Sequence, residues 1–126
     1  MLNNNRQIKL IEARPIAVGT EEIATFTNFD GRGMAIDLFV HAITATPTVQ
    51  ITVNEVVPGT NEVVQIHQTA ALTATAGAGT RIVIYPGITA GTNLISNVIG
   101  RELKIVVAIA GVGSAATITL GAYLIP

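Results

Sequence analysis

Apolar and polar residues alternate along most of this chain. From Met34 to Val40 the even positions Met34, Ile36, Leu38 and Val40 are apolar, while Asp37 and His41 fall on the opposite side. From Thr48 to Asn54 the odd positions Val49, Ile51 and Val53 share one face, and Thr48, Gln50, Thr52 and Asn54 share the other. Leu103, Ile105, Val107 and Ile109 repeat the rhythm, as do Ile118, Leu120, Ala122 and Leu124. A period of two marks a strand with one buried face, because successive side chains leave a strand on opposite sides. No segment carries a comparable stripe of period 3.6 bounded by helix caps.

Turn chemistry separates these runs. Asp30-Gly31-Arg32-Gly33, Pro58-Gly59-Thr60-Asn61, Ala76-Gly77-Ala78-Gly79, Pro86-Gly87 and Gly111-Val112-Gly113-Ser114 each lie between two β-rich stretches. Glycine there reaches positive φ at little steric cost, and proline presets its own φ. The pattern predicts eight strands, at about 14–18, 22–27, 34–44, 48–56, 63–69, 80–85, 103–110 and 117–125. Eight short strands with turns between them point to an all-β, antiparallel, jelly-roll-like β-sandwich. A closed eight-stranded barrel would leave the same pattern.

Two stretches fall outside the rhythm. Residues 88–100 form a long connection with room for one helical turn, and loops of this length generally act on something or lie against something. Residues 1–13 read as an extended N-terminal arm preceding a single domain at 14–126. Fully extended, such an arm reaches roughly 40 Å. The expectation is that it lies along a neighbouring molecule, with Asn3, Arg6, Ile8, Leu10 and Ile11 as the partner-binding residues. The alternative is that it folds back on its own domain, anchored by Ile8, Leu10 and Ile11.

Composition adds one constraint. At 126 residues the chain suits one domain with a proper core. Hydrophobic residues make up 49% and charged residues only 12%, about half the usual charged share. Solvent-facing positions must then be filled largely by Thr, Asn, Gln, Ser, Ala and Gly. Either the surface is partly covered by neighbours, or this is simply a Thr-rich β protein. The seven basic residues are scattered and make no stripe that could follow a phosphate backbone, so nucleic acid is not an expected partner. No apolar run approaches the roughly 20 residues that span a bilayer, and no membrane partner is expected. Met1-Leu-Asn-Asn-Asn-Arg-Gln lacks an apolar signal region, so synthesis in a cytoplasm without a Sec route is expected.

The chain offers little chemistry. Cysteine is absent, which removes disulfides and thiolate metal sites. His41 and His67 are each read as solvent-facing strand histidines, with no carboxylate pair at metal-ligand spacing. Glu21 and Glu22 are neighbours on a strand and point to opposite faces. Glu55 and Glu62 flank the Pro58-Gly59 turn, where solubility and hairpin ends account for them. Ser96 and Ser114 lie in loops with no nucleophile-elbow context. Gly77-Ala-Gly and Gly111-Val-Gly lack the lysine and the following helix of a phosphate loop. Asp30-Gly31 lacks the further oxygen ligands of a calcium loop. The expectation is a protein with no catalytic, cofactor or metal site. A glycan site would ask for aromatic faces, and the aromatics are Phe26, Phe29, Phe39, Tyr85 and Tyr123. Phe26 and Phe29 lie near the Asp30-Gly31 turn.

The segment Arg81-Ile-Val-Ile-Tyr-Pro-Gly87 is followed by the 88–100 loop, Arg101-Glu-Leu-Lys-Ile105, and Thr117-Ile-Thr-Leu-Gly-Ala-Tyr-Leu-Ile125. With Thr46-Pro47-Thr48-Val-Gln-Ile-Thr-Val53 upstream, this arrangement resembles a group of small structural proteins of tailed phages and prophages. The resemblance covers about residues 34–126. It implies a jelly-roll-like protein of the virion, of head decoration (cement) type, found on the capsid surface. It further implies the major capsid protein as partner and a homo-oligomer, with a trimer the expected form. The alternatives are a binding module for a glycan or receptor, or a tail or head-fibre subunit.

Overall fold

The structure is a computed structural model and describes residues 6–28 and 31–126. Among the described residues ten strands follow one another: β1 (Arg6–Ala17), β2 (Gly19–Thr27), β3 (Gly33–Thr44), β4 (Thr48–Val56), β5 (Val63–Gln68), β6 (Leu72–Thr73), β7 (Gly79–Ile84), β8 (Leu94–Ile95), β9 (Glu102–Ala110) and β10 (Ala115–Ile125). The two beyond the expected eight, β6 and β8, are two residues each, too short to leave a periodic signal.

Sheet A has the order β1-β10-β3-β7-β8, and sheet B the order β2-β9-β4-β5, with β6 paired to β4. Setting aside β6 and β8 leaves two four-stranded sheets between which the chain crosses at nearly every connection. This is a jelly-roll sandwich. All pairings are antiparallel except the short parallel contact of β8 with β7.

The core is the set of residues that the alternation puts on one side. Met34, Ile36, Leu38 and Val40 on β3 and Val49, Ile51 and Val53 on β4 are buried. So are Leu103, Ile105, Val107 and Ile109 on β9 and Ile118, Leu120, Ala122 and Leu124 on β10. Each large aliphatic side chain withdrawn from water in this way contributes roughly 1.5–3 kcal/mol. β-Branched residues dominate because they suit a pleated surface packed on one face.

The beginning of the chain differs from the sequence expectation. Residues 6–13 are the first part of β1, which pairs with β10 from Arg6–Leu124 to Ala17–Ala115. The boundary expected at residue 14 therefore falls inside a strand. Register shifts between Lys9 and Ile11, and again between Ile11 and Arg14, break the alternation. They let Leu10 pack against the core while the next residue, Ile11, is itself buried. Ala13, at the second irregularity, has a left-handed φ of 45°.

The 88–100 connection contains no helical turn. It lies against the edge of sheet A, where β8 pairs with Val83 and Ile84, and Tyr85 N–H donates to the Ile95 carbonyl at 3.0 Å. Ile99 closes over the core. The buried Asn28 fastens the end of this connection: its amide donates to the carbonyls of Gly31 at 2.8 Å and Gly100 at 3.0 Å, and its own carbonyl oxygen accepts from Gly31 N–H.

His67 also departs from expectation. It stands opposite the buried Val53 and is half-buried, with no hydrogen-bond partner for Nε2. A bulge that sets Gln65 against Asn54 and His67 against Val53 skips Ile66 and reverses the inside-outside order of β5.

Candidate functional site: the outer face of sheet A

The outward side chains of β1, β10, β3 and β7 form a lattice fixed by strand register. One row runs Lys9, Gly121, Asp37, Arg81; the next runs Thr119, Phe39, Gly79; and Tyr123, Ala35 and Val83 lie on the other side. Gly121 and Gly79 place bare backbone where side chains would otherwise stand. The result is an open depression of about 590 Å³ lined by Asp37, Phe39, Thr80, Arg81, Thr119 and Tyr123, with the two glycines in its floor.

Its charged centre is a bidentate pair. Arg81 Nε donates to Asp37 Oδ1 at 2.6 Å and Nη2 to Oδ2 at 2.9 Å. The guanidinium beside it holds the Asp37 carboxyl below its ordinary range, against the opposing effect of partial burial, with a smaller contribution from Tyr123. The same guanidinium carbon lies 5.7 Å from the centroid of the Tyr123 ring, within cation–π range. A guanidinium has five N–H donors, and the Asp37 pair engages two of them.

The other side of the depression is aromatic. Phe39 is 41% exposed, and its ring meets that of His41 edge-on at 4.9 Å. His41 Nε2 and Thr119 Oγ1 share a 2.6 Å hydrogen bond, and Thr119 Oγ1 also accepts from Ala13 N–H at 2.9 Å. The face thus offers a rigid aromatic edge, a fork of donors and a carboxylate on a scaffold of three paired strands. It is suited to binding a flat partner or a polar ligand. Among the described residues, no group of three or more His, Cys, Asp or Glu side chains could hold a metal ion. A second cleft, of about 470 Å³, lies at one end of the sandwich between the Pro58-Gly59 turn and Arg101-Glu102.

The structure does not bring the residues expected from the sequence to this face. Ile11 is buried, and Ile8 and Leu10 are partly buried against the core of their own domain. The fold-back alternative therefore describes these three. Arg6 opens β1 opposite Leu124, and Asn3 lies outside the described residues. The residues that do form the face were accessible to sequence reasoning through parity. Phe39 shares its side of β3 with Asp37 and His41, and Tyr123 shares its side of β10 with Thr117 and Thr119. An aromatic on the polar parity of a strand was the signal.

No protein-family model and no curated protein matches the chain. Among solved structures it is similar to a chain in the structure of infectious bursal disease virus, Gx strain, with a TM-score of 0.57 and 11% sequence identity. The match covers 96% of this chain and 33% of that one, so the present chain spans about one third of its neighbour's length. At this identity the likeness is one of fold: nearly the whole chain superposes on part of a chain from a virus.

Proposed function

We propose that this protein is a structural component of a virion, and more specifically a head decoration (cement) protein that binds the outside of a capsid and bridges major capsid subunits. The observation that carries the reading is the jelly-roll order of the two sheets, together with the fold likeness, over 96% of the chain, to a chain in a virus structure. The scarcity of charge supports it, because a chain with only 12% charged residues has little charge with which to keep its surface uncovered. The protein acts by binding, with the outer face of sheet A set against the capsid. An interface that holds specifically buries about 1,000 Å² or more in total, and many modest contacts repeated over a lattice add up through multivalency.

The test is cosedimentation with undecorated phage capsids. Saturable binding at a stoichiometry commensurate with the capsid lattice, weakened by Phe39→Ala and by Arg81→Met, is the expected result. A protein that ignores capsids at every concentration would defeat the reading. A second reading, a saccharide-binding module, is favoured by one feature, the depression between Phe39 and Tyr123 with the Asp37–Arg81 pair in its centre. A glycan array separates the two: hits abolished by Phe39→Ala, with no capsid binding, would select it.

A further inference from the structure

The charges of this chain are unevenly distributed. Segments 17–20, 42–48, 69–78 and 110–117 contain no Asp, Glu, Lys, Arg or His. At the chain's own average of 12%, about three charged residues would be expected there. These segments are the β1–β2 link, the β3–β4 loop, the crossover from β5 to β7 and the β9–β10 loop, with the strand ends that flank them. Register gathers them at one end of the sandwich. Ala17 stands opposite Ala115, Ile43 opposite Ala116, and Thr48 is paired with both Ala110 and Thr73. The opposite end carries Arg32, Glu62, Arg101 and Glu102.

The uncharged end also displays apolar side chains. Val18 is 53% exposed, Ile43 38% and Val112 fully exposed. Val112 is held out by a built turn. Gly111 and Gly113 on either side have positive φ, at 119° and 67°, and Ser114 N–H donates to the Gly111 carbonyl at 3.1 Å. Of the residues in the four segments, 24 are at least partly exposed. That agrees with the roughly 20–30 residues that each side of a stable interface contributes.

We infer that this end is a self-association surface, where copies of the chain meet around a rotation axis. Near such an axis each residue meets its own copy. A charge there would face an identical charge, a repulsion felt even in water and stronger once water is expelled. A different protein partner would impose no such restriction, and hetero-interfaces regularly set opposite charges against each other. Freedom from charge is the complementarity that a chain needs in order to meet itself. Small side chains (Ala, Gly, Thr and Val make up most of these loops) let several copies approach closely. The inference stands whether or not the protein binds a capsid.

The test is the solution mass of the full chain, by sedimentation equilibrium from micromolar to millimolar concentration, with three variants. Val112→Asp and Ala45→Asp each put a like charge at the axis. Ala45 has a left-handed φ of 58°, a conformation that Asp tolerates, so this second variant keeps its fold. Asn61→Asp, in the turn at the opposite end, is the control. Far-UV circular dichroism and the thermal midpoint establish that each variant is folded. The expected result is a wild-type oligomer of fixed stoichiometry whose dissociation constant rises at least about tenfold in both uncharged-end variants and is unchanged in the control. A wild type that stays monomeric throughout overturns the inference, as does an oligomer indifferent to both substitutions. Flotation with neutral phosphatidylcholine vesicles, by a chain that is monomeric without them, would overturn it in favour of a lipid surface.

Discussion

Arg81 on β7 and Asp37 on β3 are direct cross-strand partners, and the guanidinium meets the carboxylate through two parallel hydrogen bonds. The arginine side chain is 62% exposed and that of the aspartate 34%, so water screens the pair. Geometry this good serves to hold a surface in shape more than to hold the fold together.

Arg81→Met is accordingly expected to lower stability only slightly, and less at high salt. A double-mutant cycle with Asp37→Asn, measured by denaturant unfolding, gives the coupling. The lowered pKa of Asp37 sets the pH dependence. The contribution is complete at neutral pH and disappears only in acid, as pH falls through that lowered value, because the unfolded chain takes up the proton first. Coupling that is larger than this and insensitive to salt would contradict the exposed-pair description.

His67 gives a second dependence at milder pH. Burial pushes its imidazole below the ordinary value near 6.5, so the folded state keeps it neutral where the unfolded chain would protonate it. Stability should be unaffected above that ordinary value, decline as pH falls through it, and level off below the lowered folded value. His67→Phe keeps a ring in the half-buried position and removes the proton site. The decline between neutral and mildly acid pH should shrink in unfolding curves of this variant.

Truncation separates arm from strand. Removing residues 1–13 takes away eight of the twelve residues of β1, with the packing of Ile8, Leu10 and Ile11, and leaves the neighbouring edge of β10 without its partner. Loss of several kcal/mol, or failure to fold, is expected, with the exposed edge promoting aggregation. A truncated protein with an unchanged thermal midpoint would contradict the pairing of β1.

Gly33 marks a close approach of backbones. A Cβ there would stand 2.4 Å from both the Ile84 carbonyl oxygen and a Tyr85 ring carbon, and the first of these cannot swing aside. Gly33→Ala should cost about 1–3 kcal/mol, as overpacking does elsewhere. The Gly59→Ala comparison has a different cause, since open space surrounds Gly59 and only its φ of 78° opposes the substitution.

What the sequence revealed follows from how burial acts on a strand. β3, β4, β9 and β10 each bury one face and expose the other, so their apolar residues fall at every second position and their inward sets could be read directly. The strand expected at 14–18 is the last part of β1, and its first part escapes because two irregularities put Ile11 out of step with Ile8 and Leu10, so that a strand looks like an arm. Strand parity alone puts His67 on the wrong side for a similar reason, a single bulge at Ile66. The outer face of sheet A was out of reach as a unit. Asp37, Arg81 and Tyr123 come from three strands, and only their register, which no local pattern encodes, brings them together.

The pairing of Arg6 with Leu124 has a geometric consequence. The first described residue of β1 and the last residues of β10 are neighbours, close to Gly33 and to Tyr85, whose hydroxyl donates to the Pro126 carbonyl at 3.1 Å. Neighbouring strands run about 4.8 Å apart, so both strand ends open on the same side of the molecule. The start of β1 and the end of β10 therefore lie together at the charged end, the opposite end of the sandwich from Val112 and its neighbours.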